Sequence, residues 1–244
     1  MRKNTYTIYI SLIVALGGFL MGFDSAVISG ATPFYRETYG LNSGSMLIGF
    51  SVSSLILGAI IGNISAGKLA DHFGRRMVLM FTAVLFTLSA LTTALAPDII
   101  VFLIARIVGG LGVGMAILVA PMYIAEIAPR KLRGKLVTFN QLNIVVGISV
   151  AYFSNYYFQQ TIADPDLKWR IMLGVEAVPA VLYLFLLFIV PRSPRWLMQK
   201  GDNHEALNVL KRIHGEVQSL IVYKEIEKSL REELNKDKAR WADV

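Results

Sequence analysis

Two charged side chains lie deep inside apolar segments of the sequence, where a charge is costly and therefore indicates function. Asp24 interrupts the apolar stretch 8–30, and Arg106 stands in the first half of the segment 99–127. At 1.5 Å per helical residue, both charges lie roughly 22 to 30 Å from the same face of a helical bundle. We therefore predict a buried Asp24–Arg106 ion pair in which the protonation of Asp24 depends on its partner. A permanent structural ion pair is the alternative.

Amide side chains form a second group of candidates, in the segment 136–158. They are Asn140, Gln141, Asn143 and Asn155. Inside a membrane such groups need hydrogen-bond partners. They would either bind a polar solute such as a sugar or hold helices together, and the residues leave both readings open.

A third group of candidates consists of charges at the ends of the apolar segments. These residues are Asp71, Arg75, Arg76, Glu126 and Arg133. We predict a salt-bridge network there that holds one conformation. A single interfacial pair contributes about 0–1 kcal/mol, and a network that helix motion disrupts can bias the conformation by more than that. Glu176, close to the start of the last apolar segment, is predicted to be a helix-contact residue near the outer interface.

The elements that must position these residues are membrane-spanning helices. Hydrophobic residues make up 55% of the chain and charged residues only 17%, against about a quarter in soluble domains. Four runs without a charge and two with a single acid predict six transmembrane helices in an all-α protein. The predicted spans are 8–30, 46–66, 77–96, 99–127, 136–158 and 171–191. The predicted connections include an outer loop at 33–45 and inner loops at 67–76 and 128–135.

This composition excludes a soluble enzyme. The sequence has no cysteine, its three histidines are scattered, and no nucleophile–base set is visible, so we expect no catalytic residue, metal or cofactor. The glycine-rich run 109–114 lies inside an apolar segment with no preceding strand, which favours helix packing over nucleotide binding.

The positive charge is distributed unevenly between the two faces. Lys and Arg number 24 against 17 acids, and with six spans nearly all the bases outside the membrane fall on the side of both termini. This pattern predicts cytoplasmic termini in the inner membrane, with the first segment retained as a helix. It gives no indication of a nucleic-acid surface.

The chain divides at Pro191. We predict a six-span bundle over 1–191 and a cytoplasmic helical segment over 192–244, because Ala206, Leu210 and Ile213 recur at helical spacing. A solvated charged tail is the alternative. Spans 1–3 and 4–6 are further predicted to be two inverted three-helix repeats, since spans 1 and 4 are both glycine-rich and both carry one deep charge.

Short motifs occur in a fixed order along the chain. They are Gly22-Phe23-Asp24, Gly67-Lys68-Leu69-Ala70-Asp71 with Gly74-Arg75-Arg76, Arg106 with Gly109-Gly110, Pro121-Met122-Tyr123-Ile124-Ala125-Glu126, Arg133-Gly134-Lys135, Asn140-Gln141-Leu142, Trp169-Arg170 and Pro194-Arg195-Trp196-Leu197. Together they resemble the sugar porters of the major facilitator superfamily, and in particular bacterial proton-coupled pentose and hexose symporters.

The resemblance implies a role for each matching residue. Asp24 would be the protonatable residue, Arg106 its partner, and Gln141 a hydrogen-bonding group for the sugar. Glu126, Arg75, Arg76 and Arg133 would belong to the inner-face network. The implied activity is transport of a monosaccharide, a pentose or hexose, by alternating access with a proton, because facilitative members tend to be neutral at the position of Asp24. A facilitative uniporter and a non-transporting or regulatory half-porter are the alternatives.

The sequence departs from the family pattern in three ways. Arg192 stands where the family usually has Glu, and Met21 stands where some members have an aromatic residue. The resemblance also covers six of the family's twelve spans, so the implied partners are the lipid bilayer and either a second six-helix half or another copy of the chain. A fragment, a split-gene product and a dimerising half all fit.

Overall fold

The structure, a computed structural model, describes residues 3–42 and 44–242, which form helices and turns without a β-strand. Residues 1, 2, 243 and 244, at the outer ends of the predicted divisions 1–191 and 192–244, lie outside the described residues. The helices in chain order are α1 Lys3–Thr38, α2 Met46–Phe73, α3 Arg75–Ala94, α4 Ile99–Ile127, α5 Arg130–Thr161, α6 Pro165–Gly174, α7 Ala177–Leu187, α8 Pro194–Gln199, α9 Asn203–His214 and α10 Glu216–Ala242.

Six helical stretches are long and apolar enough to cross a membrane. They are the helices α1 to α5 and the pair α6–α7 taken together. The prediction of six spans is therefore confirmed. The name basic face is used below for the end of the bundle at which α2 and α4 end.

The fourth span matches its prediction at both ends. Asp98 caps α4, because its carboxylate accepts hydrogen bonds from the backbone N–H groups of Ile100 and Val101, both at 2.9 Å. An N-cap carboxylate satisfies amides that have no partner inside the helix. The helix ends at Ile127, just before Pro129.

The predicted inner loops are mostly helical, and their predicted bounds were wrong. α2 continues through the charged residues to Phe73, and α5 already begins at Arg130. A single residue, Gly74 with φ +89°, separates α2 from α3, and glycine adopts this conformation without strain. The charged residues therefore mark where a helix leaves the membrane and not where it ends.

The predicted outer loop also begins too early, because α1 runs through Pro33 to Thr38. A proline inside a helix removes one hydrogen bond and disturbs the preceding turn. Tyr35 compensates by packing: it is fully buried, its ring centroid lies 4.9 Å from that of Phe102, and it contacts Trp169 edge-on at 6.3 Å.

The sixth span is divided into α6 and α7 by a break at Val175 and Glu176. Pro179, in the first turn of α7, has no N–H to donate to the carbonyl of Val175. The N–H of Val178 bonds to that carbonyl instead, at 3.1 Å. Glu176 lies at this break and is buried in the bundle, where 3% of it is exposed.

The helix pairs with the most extensive contacts are α2 with α4 and α1 with α5. Exchanging the two triplets of spans converts one pair into the other, as expected for related three-helix repeats. Glycines permit both close approaches. A Cβ atom on Gly110 would overlap the carbonyl oxygen of Leu55, and one on Gly147 would overlap that of Phe19. The helix-packing interpretation of the run 109–114 is confirmed.

We expect Gly58→Val in α2 to destabilise the bundle by about 3 kcal/mol, the upper range for overpacking. A Cβ atom there would overlap the carbonyl oxygen of Ile107, and a backbone atom cannot rotate away as a side chain can. The measurement is the thermal unfolding midpoint in detergent. Gly49→Val is the matched control, because it lies in the same helix with no atom within 4 Å of its Cβ position. Equal losses for both variants would contradict the prediction.

The amphipathic pattern after Pro191 forms α9, which packs against α8, α10 and α1. Ala206, Leu210 and Ile213 are at most 1% exposed, and Ala206 and Ile213 belong to the same apolar cluster as residues of the spans. The alternative of a solvated tail is therefore wrong for α9. The division of the chain at residue 191 remains a prediction.

Candidate functional site

The structure brings Asp24 of α1 and Arg106 of α4 together in a buried ion pair. Their side chains are each 2% exposed. One terminal nitrogen of the guanidinium donates to Asp24 Oδ1, and the other donates to the backbone carbonyl of Asp24 at 3.4 Å. A buried pair of this kind offsets the desolvation of both charges, whereas either charge alone would be strongly unfavourable. The role of the pair in proton coupling remains a prediction.

The pair does not satisfy all of its own polar atoms. Asp24 Oδ2 and Arg106 Nε are buried without a hydrogen-bond partner among the described residues. Buried polar atoms in folded proteins are nearly always bonded, so each exception needs an explanation. An unbonded carboxylate oxygen is a site at which a proton can be added without first breaking a hydrogen bond.

Glu176 is the third member of this charge cluster. Its buried carboxyl group lies close enough to Asp24 and Arg106 to interact with both electrostatically. Its Oε1 atom has no hydrogen-bond partner among the described residues. The cluster thus contains two acids and one base. The sequence analysis predicts Glu176 to be a helix-contact residue near the outer interface. Its burial agrees with a helix contact, and its depth in the membrane remains a prediction. The available signal was that Glu176 is the only charge in the segment 171–191.

Small residues let the charges approach each other. A Cβ atom on Gly109 would lie 2.4 Å from Ser89 Oγ and 3.3 Å from Asp24 Oδ2. Ser89 donates to the carbonyl of Ala105 at 2.8 Å, which joins α3 to α4 directly beside the pair. The site is therefore held by three helices at separations that larger side chains would prevent.

The amides of α5 divide between the two readings that the sequence left open. Asn155 donates to the carbonyl of Val27 at 2.9 Å and so joins α5 to α1. Asn140 packs against Gly18, and its Oδ1 is buried without a hydrogen-bond partner among the described residues. Asn143 bonds within its own helix. Gln141 is exposed and has no hydrogen bond to a described residue. Its side chain is therefore open to an external ligand, although it does not lie in the charge cluster.

Three of the five predicted network residues meet at the basic face. Arg75, which is 5% exposed, forms ion pairs with Asp71 and Glu126, both at 3.0 Å. It also donates to the carbonyl of Ala70 at 3.0 Å. These contacts connect the end of α2, the start of α3 and the end of α4.

The other two residues lie elsewhere. Arg76 donates to the carbonyls of Leu187 and Phe188 at 3.1 and 3.0 Å, so it caps the end of α7. Arg133 is exposed and makes no ion pair or hydrogen bond with a described residue. Arg192 stands where the family usually has Glu. Its Nη1 atom lies 3.9 Å from Oε2 of Glu205 in α9.

Comparison with known proteins gives a consistent result. The family model described as sugar (and other) transporter matches residues 10–244. The chain is 42% identical over 229 residues to the arabinose-proton symporter of Bacillus subtilis (strain 168), covering 93% of this chain and 49% of that protein. It is 38% identical over 255 residues to the D-xylose-proton symporter of Escherichia coli (strain K12), covering 93% and 52%.

A solved structure shows the same arrangement of helices. The proton:xylose symporter XylE of the major facilitator superfamily, bound to 6-bromo-6-deoxy-D-glucose, matches with a TM-score of 0.89 and 38% identity. The match covers 94% of this chain and 54% of that one. The chain thus spans about half the length of these relatives.

Proposed function

Because the chain belongs to the sugar (and other) transporter family, we propose that it is one half of a transporter that moves a monosaccharide across the inner membrane by alternating access with a proton. It is a multi-pass membrane protein, and its six spans match one half of the major-facilitator fold. The observation that carries the proposal is the buried cluster of Asp24, Arg106 and Glu176. A facilitator needs no titratable acid at this depth.

The cluster supports a specific coupling mechanism. With Asp24 ionised, the pair holds α1 against α4, the first helix of each triplet. Protonation of Asp24 removes this attraction, so the neutral form of Asp24 no longer holds α1 to Arg106 by charge. A proton can in this way change the relative position of the two triplets.

The sugar is proposed to be a pentose or a hexose, and Gln141 is its proposed hydrogen-bonding group in this half. The remainder of the sugar site is assigned to a second six-helix half or to another copy of the chain, because the curated relatives are about twice as long. The network of Asp71, Arg75, Arg76, Glu126 and Arg133 is proposed to hold one conformation at the basic face. Arg75 is its central residue, because it pairs with both Asp71 and Glu126.

Reconstitution in liposomes tests this function. The chain alone and the chain joined to the second half of the arabinose-proton symporter of B. subtilis are compared for uptake of labelled arabinose and xylose. We expect accumulation above the external concentration only for the joined protein, and only with an imposed proton gradient. Accumulation driven by an imposed Na⁺ gradient in the absence of a proton gradient would instead indicate a different driving ion. Equilibration without accumulation would indicate a uniporter.

We also propose that the basic face is cytoplasmic and that both termini lie there. The chain has no cysteine, so single cysteines can be labelled without background. We expect an impermeant maleimide to label Gly44→Cys on intact cells and Val217→Cys only after the membrane is opened. Gly44 and Val217 are both exposed. Labelling of both positions from outside would overturn the topology.

A further inference from the structure

A groove of ≈ 560 Å³ lies at the basic face between the start of α5 and the first turns of α10. Its walls combine the basic side chains of Arg130 and Lys131 with the apolar side chains of Leu132, Ile221 and Val222. Neither the charge cluster of Asp24, Arg106 and Glu176 nor Gln141 lies in this groove. Basic side chains beside apolar side chains favour an amphipathic ligand, which has both an anionic part and an apolar part.

The charge at the groove is strongly positive. The first six residues of α5 contain four exposed bases, Arg130, Lys131, Arg133 and Lys135. Glu225 is the one acid among the described residues that line the groove. It pairs with Arg130 at 3.1 Å, but the two side chains are 43% and 78% exposed, and such a surface pair contributes little. Another anion can therefore replace Glu225 at small cost.

The histidine of the groove adds no charge at neutral pH. Half-buried His214 lines the same groove, and burial lowers its pKa below the ordinary value. It is therefore neutral above about pH 6.5, the unperturbed value. The groups that face it across the groove are Arg130, Lys131 and Glu225. The anion-attracting charge thus comes from α5.

The position of the groove identifies the source of the anion. The uncharged run 136–158 of α5 begins immediately after Lys135, so the four bases lie where the helix leaves the hydrocarbon. Clusters of bases beside a transmembrane helix bind anionic headgroups. The neighbouring surface of α10 is apolar and open, with Val217, Leu220 and Ile221 82%, 53% and 56% exposed.

We propose that this groove binds an anionic phospholipid. Arg130 and Lys131 contact its phosphodiester, and Leu132, Ile221 and Val222 contact the glycerol and the first methylene groups of its chains. Binding replaces the Arg130–Glu225 ion pair and so exchanges a link between α5 and α10 for a link between α5 and the bilayer. The site thereby makes the position of α10 sensitive to lipid composition.

Native mass spectrometry of the full chain, titrated with phosphatidylglycerol or phosphatidylcholine, tests the proposal. Each base near an anionic lipid surface strengthens binding by about fivefold, so Arg130→Gln with Lys131→Gln should weaken phosphatidylglycerol binding by about 25-fold and leave phosphatidylcholine unchanged. The matched control is Lys68→Gln with Lys211→Gln, two exposed lysines of the basic face outside the groove. Equal losses in the two double variants would overturn the proposal, because they would indicate diffuse attraction.

A second pair of variants tests the groove itself. Ile221→Glu places an acid in the groove and should weaken phosphatidylglycerol binding, whereas Val217→Glu, one turn earlier on α10 and outside the lining, should not. Both positions are exposed, so unchanged unfolding midpoints are expected for both. If inorganic phosphate displaces the lipid at equal concentration, or if Ile221→Glu binds as the wild type does, the groove is not a phospholipid site.

Discussion

Replacement of Asp24 by Asn is expected to abolish accumulation of sugar against a gradient while leaving sugar binding and exchange largely intact. Asn keeps the shape of the side chain and can still accept from Arg106, but it cannot bind a proton. The fully buried Asp24 Oδ2 has no hydrogen bond to break when a proton is added. Asn also leaves the buried Arg106 without its ion-pair partner, so sugar exchange by the same variant separates the loss of coupling from a loss of folded protein.

The measurement uses the chain joined to a competent second half, with labelled sugar and an imposed proton gradient. Asp98→Asn is the matched control, because Asp98 is an exposed N-cap residue and Asn caps helices about as well as Asp. It should retain both accumulation and exchange. Concentrative uptake by Asp24→Asn would show that the proton site lies elsewhere. If the wild type is indifferent to the gradient, Asp24 and Arg106 are a structural ion pair in a facilitator.

Arg106→Met is expected to be the most destabilising substitution in the bundle, at about 3–5 kcal/mol, the range for removing one partner of a buried ion pair. It leaves Asp24 and Glu176 as two neighbouring buried acids, 1% and 3% exposed, without a base. The methionine fills a similar volume, so the loss comes from charge. Thermal unfolding in detergent at fixed pH measures it.

A double-mutant cycle separates the pair from its surroundings. Asp24→Asn combined with Arg106→Met should be more stable than Arg106→Met alone, because only Glu176 then remains as an uncompensated acid. Glu176→Gln combined with Arg106→Met should recover stability in the same direction. If neither second substitution restores any stability, the effect of Arg106→Met is one of packing, and the three residues do not act as a charge cluster.

The sequence predicted the residues of the site better than their surroundings. Asp24 and Arg106 stand out because each is an isolated charge in an apolar helix, and a buried charge must find a partner. The start of α4 follows directly from Pro97 and Asp98. The start of α4 is a local feature. The pairing of Asp24 with Arg106 follows from the requirement that a buried charge has a partner of opposite charge.

Other features depended on contacts between distant residues. The proximity of Glu176 to Asp24 and Arg106 depends on how the sixth span packs against α1 and α4, which no local pattern marks. The partners of Arg76 are backbone carbonyls, which no residue pattern marks. Arg133 matches a family motif, yet it makes no ion pair with a described residue of the network. The continuation of α1 beyond Pro33 rests on the burial of Tyr35 by residues more than sixty positions away.

The pairing of α1 with α5 and of α2 with α4 has a consequence for synthesis of the protein. The first three spans cannot bury their own glycine faces, because α1 packs on α5 and α2 packs on α4, which the ribosome makes later. Arg106 follows Asp24 by 82 residues, which takes about 4 to 16 s at the usual speed of translation. During this interval the carboxyl group of a newly made α1 has no cation. The nascent first helix must therefore wait beside water or the insertion machinery, and it can settle in the lipid only when the fourth helix arrives.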